Sequence, residues 1–133
     1  MPVSVLSVRS RKSKQVIDIT DSVEECVVGM KLKECLVNIF VAHTTACVTT
    51  GEAIEGTDED LMEVLEKIIP RIRFRHAHDP SHAPDHMISS LVGAGISIPF
   101  SEGRLMLGTW QRVLFIECNG PRSRDVVVTA ILA

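Results

Sequence analysis

Four short apolar runs crowd the last third of the chain, and they constrain its fold more than any other feature. They are Gly95–Phe100, Arg104–Leu107, Arg112–Glu117 and Arg124–Ile131, rich in Val, Ile and Leu. Ser101-Glu102-Gly103, Gly108-Thr109 and Asn119-Gly120-Pro121-Arg122 separate them, so the runs are expected to form four successive strands joined by turns.

Upstream the pattern is mixed. Val3 to Val8 alternates apolar and small polar residues, and Gln15–Ile19 follows a charged stretch, Arg9-Ser10-Arg11-Lys12-Ser13-Lys14. Together these predict an N-terminal β-hairpin with a solvated basic turn. Thr20 or Asp21 is expected to cap a short helix over Ser22–Val28, with Gly29 as its stop. Cys35–Ala42 should be a central strand, and Ala46–Thr50 resumes strand character after the polar corner His43-Thr44-Thr45. Thr57-Asp58-Glu59-Asp60 resembles a capping box, and Leu61, Met62, Val64, Leu65, Ile68 and Ile69 then recur at helical spacing until Pro70. The stretch from Pro70 to Pro84 lacks a period and is expected to be a loop. Pro84 suits the first turn of another helix, about Asp85 to Leu91, ending at Gly93. Seven or eight strands with two or three helices predict an α+β fold. One domain over residues 1–133 would hold a largely antiparallel sheet folded as a sandwich or barrel.

Hydrophobic residues make up 45% of the chain but aromatics only 4%, with no Tyr, so Val, Ile, Leu and Met must fill the core. That composition offers no aromatic platform for stacking bases, and a formal net charge of −3 argues against nucleic acid as the main partner. No apolar run is long enough to span a membrane and no secretory segment is visible. Cys26, Cys35, Cys47 and Cys118 form no Cys-x-x-Cys pair, and a reducing, cytoplasmic setting is expected. Most of these cysteines suit small buried hydrophobes; Cys47, near His43 in sequence, is the best candidate for a reactive thiol.

Four of the five histidines, His76, His78, His82 and His86, lie in one stretch beside Asp79 and Asp85. Imidazole binds metals through a neutral nitrogen and moves protons near neutral pH, so the cluster concentrates groups fit for either task. The fifth, His43, follows an apolar run, and a strand end is a usual mount for a reactive side chain. His86 falls in the first turn of its expected helix, where the dipole disfavours the imidazolium.

Five ordered segments carry a family resemblance. They are His43-Thr44-Thr45-Ala46 with Glu52, Phe74-Arg75-His76, Asp85-His86, Gly103 to Gln111 with its Leu-Gly-Thr-Trp-Gln, and Glu117 to Arg122. Taken together the chain resembles the YjbQ-type family, also called secondary thiamine-phosphate synthases, over nearly its whole length. The resemblance implies a β-rich α+β subunit assembled as a homotrimer, with His and acidic residues in a cleft. It also implies a weak ability to join a pyrimidine diphosphate to a thiazole phosphate, with no organic cofactor. Three departures stand out: Gly51 and Asn119 where the family tends to carry Asn and Asp, and His82-Ala83 where it tends to carry Asn-Ala. The matched histidines and Glu52 remain, and His82 becomes an additional candidate ligand.

On this basis His43, Glu52, Asp85 and His86 are the expected catalytic residues. His43, His76 and His86 form the expected set for a divalent metal, zinc or magnesium, which would activate water or polarise a phosphate oxygen. Arg122, with Arg124 close by, would grip a phosphate, and Thr44, Thr45, Thr109 and Gln111 would add neutral hydrogen bonds. Plainer roles compete: His78 and His82 as solvated loop residues, Asp85 as a residue favoured by the helix dipole, the arginines as surface charge, and Trp110 as a core or subunit-contact residue. Two other functions remain open at this stage. One is a metal-dependent hydrolase using the same histidines; the other is a trimeric metal- or ligand-binding module without turnover.

Overall fold

The structure, a computed structural model, describes residues 1–132. Its elements run β1 (Val3–Arg9), β2 (Gln15–Asp18), α1 (Thr20–Gly29), β3 (Glu34–Val41), β4 (Ala46–Gly51), α2 (Thr57–Ile68), a 3₁₀ turn (Pro80–His82), α3 (Ala83–Val92), β5 (Gly95–Ser101), β6 (Arg104–Leu105), β7 (Arg112–Glu117) and β8 (Ser123–Ile131). The expected α+β architecture is present, built from two curled antiparallel sheets. One is ordered β1-β8-β3-β5-β6 and the other β2-β7-β4.

Alternation along the strands places one face of each sheet in a shared core. Val126, Val128 and Ala130 of β8 and Val37, Ile39 and Val41 of β3 point inward, against Val113 and Phe115 of β7 and Val23 and Val27 of α1. The smaller sheet is covered on its other face too, where Ile116, Cys118 and Cys47 meet Met62 and Leu65 of α2 and Ile88 of α3. Burial on both faces explains why β7 reads Val-Leu-Phe-Ile without a polar break. A strand open to water on one side would alternate instead.

Three expectations fail locally. The N-terminal hairpin does not form: β1 pairs with β8, from Val3 opposite Thr129 to Arg9 opposite Ser123, whereas β2 pairs with β7 in the other sheet. The basic stretch between them is a crossing, laced to the Asn119–Arg122 turn by Ser10 N–H to Arg122 C=O (2.9 Å) and Gly120 N–H to Ser13 C=O (2.9 Å). A Cβ on Gly120 would lie 2.4 Å from the Lys12 carbonyl oxygen, so only glycine allows this approach. Similarly, β3 and β4 belong to different sheets, and the His43-Thr44-Thr45 corner is where the chain changes sheet.

The helix starts also differ. Asp18 Oδ1 accepts hydrogen bonds from Thr20 N–H (3.0 Å) and Thr20 Oγ1 (2.7 Å), so α1 begins two residues before Ser22. The capping box at Thr57 is not made. Gly56 occupies the N-cap with φ of 81°, and Thr57 Oγ1 donates back to the Ile54 carbonyl at 2.7 Å. Helix α3 begins at Ala83, earlier than Asp85, because the 3₁₀ turn runs into it and Pro84 fits its first turn.

The two sheets are joined at one end by a buried ion pair. Arg124 and Glu117, each nearly inaccessible, meet through Arg124 Nε to Glu117 Oε1 (2.9 Å) and through Arg124 Nη2 to Glu117 Oε2. Ser10 Oγ donates to Glu117 Oε1 at 2.7 Å and Asn119 N–H to Glu117 Oε2 at 3.1 Å, while Arg124 Nη2 donates to Thr45 Oγ1 at 2.9 Å. Burial pushes the Glu117 carboxyl up, but the Arg124 and Ser10 hydrogen bonds outweigh it and hold the group below its ordinary value. Arg124→Met, which leaves that carboxylate alone in the interior, is expected to cost about 3–5 kcal/mol in urea denaturation at neutral pH. Arg124→Met combined with Glu117→Leu is expected to recover much of the loss. The stability from Glu117 is complete above its unfolded-state value, about 4.3, and disappears as pH falls through the lower folded value. Wild type should therefore lose more stability on acidification below about pH 4 than the doubly substituted chain.

Candidate functional site

The candidate residues gather at two ends of the β4–β7 ladder. Ala46 lies opposite Glu117 at one end and Gly51 opposite Arg112 at the other. At a rise of about 3.3 Å per residue the ladder is about 16 Å long.

The first end holds His43, Thr44, Thr45 and Arg122, next to Glu117 and Arg124. His43 Nε2 accepts a hydrogen bond from Asp125 N–H at 2.8 Å, so the neutral ring carries its proton on Nδ1. Burial holds the His43 imidazole below its ordinary value, and the Arg124 guanidinium adds to this; Asp125 and Glu117 pull the other way without cancelling it. Thr45 is buried, and its hydroxyl already accepts from Arg124, so it supports the ion pair rather than facing a pocket. Thr44 is exposed. Arg124 likewise is committed to Glu117, which leaves Arg122, exposed and donating from Nε to the Asn119 carbonyl at 2.8 Å, as the free guanidinium face for an anion.

Asp85, His86 and His76 form a corner beside that end. The His76 and His86 rings stack, with centroids 4.9 Å apart and planes 28° from parallel. His76 Nδ1 accepts Asp79 N–H at 3.0 Å, and Asp79 Oδ1 in turn accepts Ser81 N–H at 3.0 Å and Ser81 Oγ at 2.6 Å. His82 Nε2 stands 3.5 Å from Asp79 Oδ2, on the outside of this loop. His78 is exposed. Asp85 is buried in the first turn of α3, where Lys14 Nζ donates to its Oδ1 and also to the Cys118 carbonyl oxygen. Asp85 is therefore half of an ion pair, a role beyond favouring the helix dipole.

The second end holds Glu52, Thr109 and Gln111, all exposed. Gln111 Oε1 accepts Gly108 N–H at 2.8 Å and its Nε2 donates to Thr50 Oγ1 at 3.4 Å. Trp110 is 66% exposed, so it is not a core residue of this chain.

Residues expected to act together are thus partly united and partly separated. His76 and His86 meet, with Asp85 beside them in sequence and His43 at the adjoining strand end; Glu52 and Gln111 lie a ladder's length away. Among the described residues no group of three or more His, Cys, Asp or Glu is placed to hold a metal ion, so the three-histidine set is not assembled within one chain. Cys47 is fully buried, and the neighbouring Cys118 thiol together with burial pushes its thiol up, which removes it as a nucleophile. A cleft of about 580 Å³ opens between Lys12, Lys14 and Val16 on one side and the Asp58, Met62 and Glu66 face of α2 on the other. It contains none of the histidines, and only Lys14 connects it to them.

Sequence reasoning missed Lys14 and Glu117. Lys14 sits in a charged run that gives no sign of burial. Glu117 and Arg124 do carry a signal, because both occupy inward positions of otherwise apolar strands.

A small antiparallel two-sheet α+β protein with a histidine corner is the class that fold and site define. The chain belongs to the UPF0047 protein YjbQ-like family, whose model matches residues 4–133. It is 39% identical over 127 residues to a UPF0047 protein of Archaeoglobus fulgidus, covering 95% of this chain and 98% of that one. A UPF0047 protein of Mycobacterium tuberculosis is 35% identical over 129 residues, covering 96% and 95%. Among solved structures, a hypothetical protein from Aeropyrum pernix matches with a TM-score of 0.91 and 34% identity over 100% of both chains. A protein of unknown function from Sulfolobus solfataricus matches with a TM-score of 0.89 and 30% identity, covering 97% and 95%.

The His43 environment makes a pH prediction. A ring-proton NMR titration is expected to place its midpoint below the ordinary value of about 6.5, and Arg124→Met should move it upward. Because the folded chain resists protonating this ring, stability should fall as pH drops from about 6.5 through the lower folded midpoint. A midpoint at or above the ordinary value would contradict the arrangement.

Proposed function

We propose that the chain is a transferase of the thiamine-phosphate synthase type, joining a pyrimidine diphosphate to a thiazole phosphate. The observation that carries this is the corner of His76, His86 and ion-paired Asp85 beside exposed Arg122, in a chain whose one candidate thiol nucleophile is buried. The reaction breaks a bond from the pyrimidine methylene carbon to the diphosphate oxygen as the thiazole nitrogen attacks that carbon. It needs charge stabilisation of the leaving diphosphate, not a covalent protein intermediate. Arg122 supplies a guanidinium for phosphate oxygens. His86 serves as hydrogen-bond donor or proton carrier next to the leaving group, and His43, with its proton on Nδ1, serves as a neutral donor.

The donor set bears on a metal. His76 and His86 give one chain two imidazoles, with His76 Nδ1 already accepting Asp79 N–H, fewer than the three protein ligands usual at a catalytic zinc. The steps above are therefore assigned to the chain's own side chains. The working unit is a homotrimer in this reading, in the cytoplasm. Glu52, Thr109 and Gln111 of one copy could then join the histidine end of the next. Exposed apolar residues suited to such contacts include Trp110 and Met106 near the second end and Val3, Val5 and Phe40 on the outer face of the larger sheet.

Untagged protein incubated with the two phosphorylated precursors is expected to yield thiamine phosphate. His86→Ala and His43→Ala should lower turnover by about 10²-fold or more while retaining fold and assembly. Wild type that makes no product would overturn the synthase assignment. Stoichiometric zinc lost from both variants, with hydrolysis of phosphate esters by wild type, would make the chain a metal-dependent hydrolase. Zinc or ligand binding without turnover would make it a binding module, and a stable monomer by light scattering would remove the shared site.

A further inference from the structure

Lys14 comes from the run that reads as a solvated turn, yet only 28% of its side chain is exposed. Its Nζ donates to Asp85 on α3 and to the carbonyl oxygen of Cys118, just past the end of β7. The middle of α3 is already seated on this strand end through Ile88 against Ile116 and Cys118, and the Lys14 contacts add a polar tie at the helix's first turn. Helix α3 has no side-chain cap of its own and starts from the 3₁₀ turn Pro80–His82, which Asp79 caps through Ser81 N–H. Asp85, with 8% of its side chain exposed, would be a covered carboxylate without a partner if Lys14 turned to solvent.

The residue after Asp85 is His86. Its partner ring, His76, is held through Asp79 N–H, and Asp79 caps the 3₁₀ turn Pro80–His82 that leads into α3. The two imidazoles meet at 4.9 Å across that continuous turn, so the contact responds to the rotation of the first turn of α3 at Asp85 and His86. The Asn119–Arg122 turn is itself sewn to residues 10–13, so Lys14 projects from a fixed base rather than from a free loop.

We propose that Lys14 is the positioning residue of the His76–His86 pair. By tying Asp85 to the end of β7, it sets the depth and rotation of the first turn of α3 and so brings His86 onto His76. The inference rests on the reading of this corner as the reactive one. Lys14 acts through Asp85 and touches neither ring's partner in the stack.

The test is NMR of ring-labelled histidines in the full chain, without ligand and at mildly alkaline pH, reading the ring-proton cross-peak between His76 and His86. Lys14→Met and Asp85→Ala are expected to lose the cross-peak while the amide pattern of β7 and β8 persists; Lys14→Arg should keep it. Lys14→Met with Asp85→Leu removes both charges, leaves no unpaired carboxylate, and serves if a single substitution fails to fold; it too should lose the cross-peak. A wild-type cross-peak in folded Lys14→Met or in the double variant overturns the proposal, including when the melting temperature falls, because Lys14 would then be only a stabilising contact. The cross-peak needs no substrate and no turnover. Absence of synthase activity would sink the proposed function and leave this result to be judged separately.

Discussion

The buried pair of Arg124 and Glu117 is the constraint on which the rest of the arrangement depends. It lies where the larger sheet, through β8, meets the smaller one, through β7, and it collects hydrogen bonds from Ser10 and Asn119 and gives two to Thr45, at its hydroxyl and its carbonyl. Three chain crossings, the 10–14 segment, the His43–Thr45 corner and the Asn119–Arg122 turn, converge on these two side chains. A buried ion pair contributes little to net stability against an apolar alternative, but it penalises any packing that leaves one charge alone. Its effect here is on placement: a relation of the two sheets that parts Arg124 from Glu117 leaves a buried charge unpaired.

The histidines inherit their positions from this junction. His43 is held by the backbone N–H of Asp125, the residue after Arg124, and Cys118, the residue after Glu117, offers the carbonyl that Lys14 grips together with Asp85. Two titratable corners are thus tied to consecutive residues of the same ion pair. Hydrogen bonds behind the site, of this kind, keep flexible side chains in a defined geometry when the elements carrying them come from distant parts of the chain.

Strands and helices were legible because each has its own period. β5, β7, β8 and α2 follow directly from apolar spacing, and even the unbroken run in β7 has its cause in burial on both faces. Pairing was not legible, because adjacency in sequence is only a tendency for adjacency in a sheet, and the expected N-terminal hairpin and the His43-Thr44-Thr45 corner proved to be crossings between sheets. The α2 capping box failed for a related reason: Thr57 has a nearer acceptor in the Ile54 carbonyl. In the candidate site, the His76–His86 contact was implied by clustering alone. The separation of Glu52 from His43 was hidden, since only the extended geometry of β4 reveals that nine residues of sequence become a ladder's length of space. Arg124 alternates in register with Val126, Val128 and Ala130, which marks it as buried, whereas nothing in the run distinguishes Lys14 from its exposed neighbours Arg11, Lys12 and Ser13.

The bond from Asp125 N–H to His43 narrows what His43 can do. An Nε2 that accepts from the backbone is unavailable as a base or a metal ligand unless that bond breaks. Protonating Nε2 would place two donors face to face, in addition to the burial and the Arg124 guanidinium that already hold the ring below its ordinary value. Any part His43 plays in chemistry must therefore run through Nδ1, as a donor from a fixed neutral ring. His86 carries no such backbone commitment among the described hydrogen bonds, so in the proposed transfer proton movement is assigned to the α3 corner and orientation to the strand end.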